Sequence, residues 1–245
     1  MKPKKITDYT YMQDLATLTD EMKSSVMSSM IATSTYGLID IRDNKTYQVA
    51  KFKDDRIWMA ENLDLGRTDI SVNLNYTNTN MSTAISASVF NGWRKTSDSG
   101  TYTSGEYILQ NGYDSTSMSS YGTQYNFYAA SAGTISGEEN TANATADICP
   151  LGWRLPTGGN NGEYRTHYLA YDSDYASIRA PVYSNGAAFS LAGVSNGSQG
   201  RWGYYFSSTA RYETSMFGFV LDTTGVLSTG GVYRDGTASI RCIVK

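Results

Sequence analysis

Histidine is almost missing from this chain of 245 residues, His167 being the one example, and cysteine is limited to Cys149 and Cys242. With one imidazole and no Gly-x-Ser-x-Gly elbow, the nucleophile-and-base pairing of hydrolases lacks its parts. The cysteines stand far apart, with no C-x-x-C spacing and no histidine beside them, so no zinc site is expected. They leave two alternatives, a disulfide or two buried thiols, and the disulfide would imply an oxidising, extracytoplasmic setting. No apolar run approaches the roughly 18 residues of a membrane span, and "MKPKKITDYT" is charged with no apolar stretch behind it. Either the chain is cytoplasmic, or a leader or anchor has been removed from it.

Charge is scarce as well. Charged residues make up 18% of the chain and the net charge is -3, which gives no broad positive field for a phosphate backbone and sets nucleic acid aside as a partner. The surface must then be dressed mainly in hydroxyls and amides, while a hydrophobic share of 40% is enough for a core and rules out global disorder. The length fits one large domain or two small ones.

Tyrosine is abundant, with 20 residues against seven phenylalanines. A rigid ring with a polar tip suits recognition surfaces, and it equally suits half-exposed strands. Near the start, Met12, Leu15, Leu18, Met22, Val26 and Met30 recur at helical spacing, so one amphipathic helix is expected from Asp8 or Thr10, within an N-terminal segment 1–35 that docks on the domain or forms a stalk. From Tyr36 to Asn62, short extended runs punctuated by Asp43-Asn44 and Asp54-Asp55 predict an antiparallel meander. Residues 66–124 read as a polar insertion over the core. Thr157 can cap a helix carrying Tyr164, Tyr168 and Leu169. The last fifty residues read as strands, with a hairpin at Asp222-Thr-Thr-Gly225, Cys242 facing inward, and Arg241 and Lys245 facing outward.

For chemistry, "PTGGNNGEY" has neither the lysine nor the glycine order of a phosphate cradle. Glu138-Glu139, Asp172-Asp174 and Asp54-Asp55 are acid pairs of the kind glycosidases use, but in polar loops such pairs are ordinarily solvated. His167 reads as a surface or packed residue rather than a base. The chain is expected to be no enzyme and to carry no metal or cofactor. The tail instead interleaves Arg201, Trp202, Tyr204, Tyr205, Arg211 and Tyr212, then Tyr233 and Arg234, residue types that dominate interface hot spots. The alternative is strand packing by Tyr204 or Phe206 with incidental surface arginines.

"RIWMAENLD", "ICPLGWRLPT", "YYFSST" and "SIRCIVK" stand in the order seen in the Fibrobacter succinogenes major paralogous (FISUMP) domain, which residues 36–245 resemble. That family is similar to the C-type lectin superfamily. The resemblance implies an α+β domain with short antiparallel strands, two helices and long irregular loops, in a secreted or surface protein. It also implies similarity to the variable proteins of diversity-generating retroelements, in which codons near the C-terminus are rewritten. The site it suggests comprises Arg201, Trp202, Tyr204, Arg211, Tyr212, Glu213, Tyr233 and Arg234, facing a protein or cell-surface ligand or a glycan. Cys149, Trp153, Pro156 and Cys242 would brace the frame. The rival reading is a fixed-specificity carbohydrate-binding or adhesion module. The Glu-Pro-Asn, Gln-Pro-Asp and Trp-Asn-Asp motifs of calcium-dependent sugar binders are missing, so sugar binding through Ca²⁺ is not expected. "GWRLPT" also resembles formylglycine-generating enzymes, but their close C-terminal cysteine pair is missing too.

Overall fold

A computed structural model describes residues 3–65, 78–80, 94–95, 102–103, 124–132, 134, 142–192, 200–212, 215–228, 230–234 and 236–245. Most of the 66–124 insertion therefore lies outside the described residues. The chain combines helices with antiparallel sheets, an α+β arrangement.

The N-terminal stripe is not one helix. It forms two 3-10 turns, Ile6–Asp8 and Met12–Thr17, and then helix α1, Asp20–Ser29. Capping decides the breaks: the Asp14 carboxylate accepts from the amides of Thr10 and Tyr11, and Thr19 Oγ1 accepts from the Met22 amide. Met12, Leu15, Val26 and Met30 nevertheless join the main core.

Strands β1 (Tyr36–Asp40), β2 (Lys45–Lys51) and β3 (Ile57–Met59) form the meander, with Asn44 and Asp55 taking the left-handed turn positions that Asn and Asp tolerate. Beyond β4 (Arg94–Lys95), β5 (Tyr102–Thr103) and helix α2 (Phe127–Ala130) come β6 (Trp153–Arg154) and, at the end of the chain, β11 (Ile243–Val244). These complete a five-stranded antiparallel sheet in the order β1-β2-β3-β11-β6, so the first and last strands of the chain share one sheet. A second sheet joins β7 (Trp202–Tyr212), β8 (Ser215–Asp222), β9 (Val226–Ser228) and β10 (Gly231–Tyr233). At the β8-β9 turn, Asp222 Oδ1 accepts from the amides of Thr224 and Gly225, each at 2.7 Å.

Two buried clusters lie on opposite sides of β7. Phe206 and Ala210 enter one with Met216 and Val220, while Tyr205 enters the other with Phe219, Leu221 and Trp58. Helices α3 (Glu163–Ala170) and α4 (Tyr175–Arg179) feed Tyr164 and Ile178 into the second cluster, where the Tyr164 and Phe219 rings stack at 5.2 Å. Thr157 serves α3 from a distance: its Oγ1 accepts from the Glu163 amide at 3.0 Å, and its own amide donates to Glu163 Oε2 at 2.9 Å.

The "ICPLGWRLPT" stretch ties these layers together. A disulfide joins Cys149 to Cys242, Trp153 is fully buried and its Nε1 donates to the Met12 carbonyl at 2.9 Å, and the Pro156 carbonyl accepts from the Ser208 amide at 2.8 Å. Asp147 organises the turn, its buried carboxylate accepting from the amides of Cys149 and Leu155 and from Asn80 Nδ2. Arg42 pins the meander to the same turn, paired with Asp40 at 2.6 Å and donating to the Ile148 carbonyl.

Candidate functional site

The "FSST" segment of β7 contains the feature that shapes the site. Phe206 pairs with Gly218 and Ala210 with Met216, so Ser207, Ser208 and Thr209 stand opposite Phe217 alone in a three-against-one bulge. A bulge leaves backbone groups unpaired, and here hydroxyls and loops take them up. Ser207 Oγ donates to the Phe217 carbonyl at 2.6 Å and accepts from the Thr209 amide at 3.1 Å. Thr209 Oγ1 accepts from the Gly158 amide at 2.9 Å. The loop presses so close that a Cβ on Gly158 would sit 2.4 Å from Phe217 Cβ.

Past the bulge the register brings three of the expected residues together. Tyr212 pairs with Ser215, Ser215 pairs with Tyr233, and Phe217 pairs with Gly231, so these side chains occupy neighbouring rows across β7, β8 and β10. Paired residues share a face, and on this face Tyr212 is 55% exposed and Tyr233 70% exposed. The Arg211 guanidinium lies 5.2 Å from the Tyr212 ring and 5.6 Å from the Phe217 ring. Gly231 makes room for it: a Cβ there would meet Arg211 Nη1 at 3.0 Å. The result is a patch with two exposed phenols, Tyr212 and Tyr233, and an arginine within cation–π reach of the Tyr212 and Phe217 rings. Such a surface can bury large area on a partner while still offering hydrogen bonds.

The other expected residues are not part of it. Trp202 and Tyr204 stack on each other at 5.9 Å, half-buried against the first core cluster, at the opposite end of β7 and on its opposite face. Roughly 30 Å of extended chain separates them from Tyr212. Arg201 is exposed beside them. Glu213 lies outside the described residues. Arg234 is a correction: it is 0% exposed, its Cζ lies 5.7 Å from the Phe127 ring and its Nε donates to the Ser215 carbonyl. Tyr233 faces outward at the end of β10, and the chain bends at Arg234, whose side chain turns inward against Phe127. Arg241 is a second correction, buried rather than outward, because the closing segment is covered on both faces. Phe217, Ser215 and Gly231 belong to the patch and were not expected; no local signal marks them, since only the cross-strand register does.

Elsewhere, His167 is fully buried among Phe52, Trp58, Tyr171 and Phe189, its Nδ1 3.2 Å from Asp54 Oδ2. The Asp54 carboxylate is therefore buried, not solvated as expected, and accepts from Trp58 Nε1 at 2.9 Å. Asp172 and Asp174 are exposed, and Glu138-Glu139 lies outside the described residues. Among the described residues no group of three or more His, Cys, Asp or Glu side chains is placed to hold a metal, and no helix is long and apolar enough to cross a membrane. No protein-family model, curated protein or solved structure matches the chain.

Proposed function

We propose that the chain is a non-enzymatic ligand-binding protein, a C-type lectin-like domain of the FISUMP kind that displays a changeable C-terminal surface to a protein or cell-surface partner. The observation that carries this reading is the cross-strand patch in which Tyr212 and Tyr233 are exposed and Arg211, Ser215 and Phe217 are half-buried beside them. Three further features favour it. The first and last strands share a sheet, the Cys149–Cys242 disulfide suits an extracellular or cell-surface setting, and the "FSST" bulge is held by hydroxyls and not by the displayed side chains. Because exposed substitutions usually alter stability by no more than about 0.5 kcal/mol, such a surface can vary while the fold persists.

The test is the coding DNA and its variation. A diversified protein predicts a nearby reverse transcriptase gene and a near-copy of the tail's coding segment that differs at adenines. Substitutions should gather at Arg211, Tyr212 and Tyr233 and spare Tyr205, Phe206 and Arg234. A locus without the copy, or with changes spread equally over buried positions, overturns the diversification reading. A glycan array then addresses the fixed-specificity alternative, since a common sugar preference among siblings that differ only in the patch would favour it.

A further inference from the structure

A cavity of about 420 Å³ lies away from the display patch, between β2, the 60–64 segment after β3, and the chain around Ala188 and Ser190, with Arg241 in its wall. Its lining is mixed. Arg241, Asn62, Ser190, Lys45, Glu61 and Asp64 supply its polar side chains, and Tyr47, Ala60 and Ala188 contribute apolar surface.

The Arg241 guanidinium is 2% exposed, and all its hydrogen-bond acceptors among the described residues are neutral. Nε donates to Asn62 Oδ1 at 3.0 Å, Nη1 to the Ala187 carbonyl at 3.1 Å and Nη2 to the Ala188 carbonyl at 2.5 Å. Its Cζ lies 4.3 Å from the Phe189 ring. Those three bonds and a side-chain hydrogen bond to Tyr205 leave one of the five guanidinium N–H groups for a ligand. Burial pulls its pKa below the ordinary value, against the phenols of Tyr205 and Tyr164 and the charge of Glu61. A buried cation held by neutral dipoles at the wall of a cavity is the arrangement that a carboxylate completes, because a charge-assisted pair replaces lost hydration. Across the cavity, Lys45 Nζ is already paired with the Asp64 carboxylate, while the Glu61 carboxylate accepts from the Gln48 amide at 3.2 Å and brings a second sign of charge to the lining.

We infer that this cavity is a binding site for a small zwitterion of the α-amino-acid class, its carboxylate on Arg241 and its ammonium toward Glu61. The volume lies at the small end of ligand pockets, suited to a metabolite-sized molecule rather than a polymer. This site is separate from the display surface, and each can fail without the other.

The experiment uses the full chain with the Arg241 Nε–H resonance as reporter. Standard amino acids are titrated singly, and each one that shifts the resonance is compared with its des-amino acid and its carboxamide. A saturable shift is expected for at least one amino acid, with its carboxamide at least about tenfold weaker because the carboxylate is lost. Glu61→Gln, a change at an exposed position, should weaken the amino acid by about tenfold and leave the des-amino acid unaltered. No saturable shift from any amino acid, or a carboxamide that binds as well as the acid, overturns the site. Equal amino-acid affinity in Glu61→Gln overturns the zwitterion assignment.

Discussion

Reducing the Cys149–Cys242 disulfide should destabilise the domain more than any single change in the display patch. The bond spans a sequence separation of 93 residues, and releasing a loop of that size from the unfolded chain removes about 4 to 5 kcal/mol in the chain-entropy account. Native domains hold roughly 5 to 15 kcal/mol in total, so this is a third or more of an average reserve. At roughly 2 to 4 °C per kcal/mol for this chain length, the midpoint should fall by about 8 to 20 °C. The loss adds to an already tied turn, because Asp147 and the Trp153–Met12 contact still hold the Cys149 segment in the reduced protein. The assay is urea unfolding of the oxidised protein beside the Cys149→Ala/Cys242→Ala double variant, with calorimetry for the midpoint. The slope should rise in the double variant as its unfolded state exposes more surface. A loss below about 1 kcal/mol would refute the brace, since it falls well short of the loop-closure figure.

Other outcomes follow from single side chains. Arg234→Met should be neutral or stabilising in urea unfolding, because both Nη atoms are buried without a hydrogen-bond partner among the described residues, whereas Arg234→Ala should lose about 2 kcal/mol or more to the cavity beside Phe127; equal large losses in both would show that the charge itself matters. Burial pushes the Asp147 carboxyl up to about 6, against the Leu155, Asn80 and Cys149 donors. Its folded pKa exceeds its unfolded one, so its contribution to stability is full below the unfolded value and is lost as pH rises through about 6. An NMR titration of the side-chain carboxyl should find that midpoint, and a midpoint at or below the ordinary aspartate value of about 4 would contradict the desolvated turn. Gly158→Ala should lose about 1 to 3 kcal/mol because its Cβ would strike Phe217 and Ser207; unfolding within error of the wild type would show that the loop can retreat.

Local signals carried much of the fold. The meander needed only Asp43-Asn44 and Asp54-Asp55 between apolar runs, and the last hairpin needed Asp222 and Gly225, because turn chemistry is written in adjacent residues. The N-terminal helix was misread as continuous although Asp14 and Thr19, both capping types, stood in plain view within the stripe. The site was harder. Tyr233 and Arg234 are neighbours in a chain read for residue type, and only the pairing of β10 with β8 decides that one is displayed and the other sunk. Arg241 misled for a related reason, since alternation predicts an outward face only where one side of a strand meets water. The patch depends on a bulge opposite Phe217, and the Asp54–His167 contact joins residues more than a hundred positions apart; neither has a sequence period to reveal it.

The claim on which the functional reading rests is that the displayed side chains can be removed without loss of the frame, and equilibrium unfolding of the Arg211→Ala/Tyr212→Ala/Tyr233→Ala triple variant tests it most directly. The account predicts a cooperative transition within about 2 kcal/mol of the wild type, the sum of two exposed truncations, one half-buried one and the lost cation-ring contacts. A loss above about 4 kcal/mol, the range of buried aromatic truncation, would place these residues in the core and contradict a display surface.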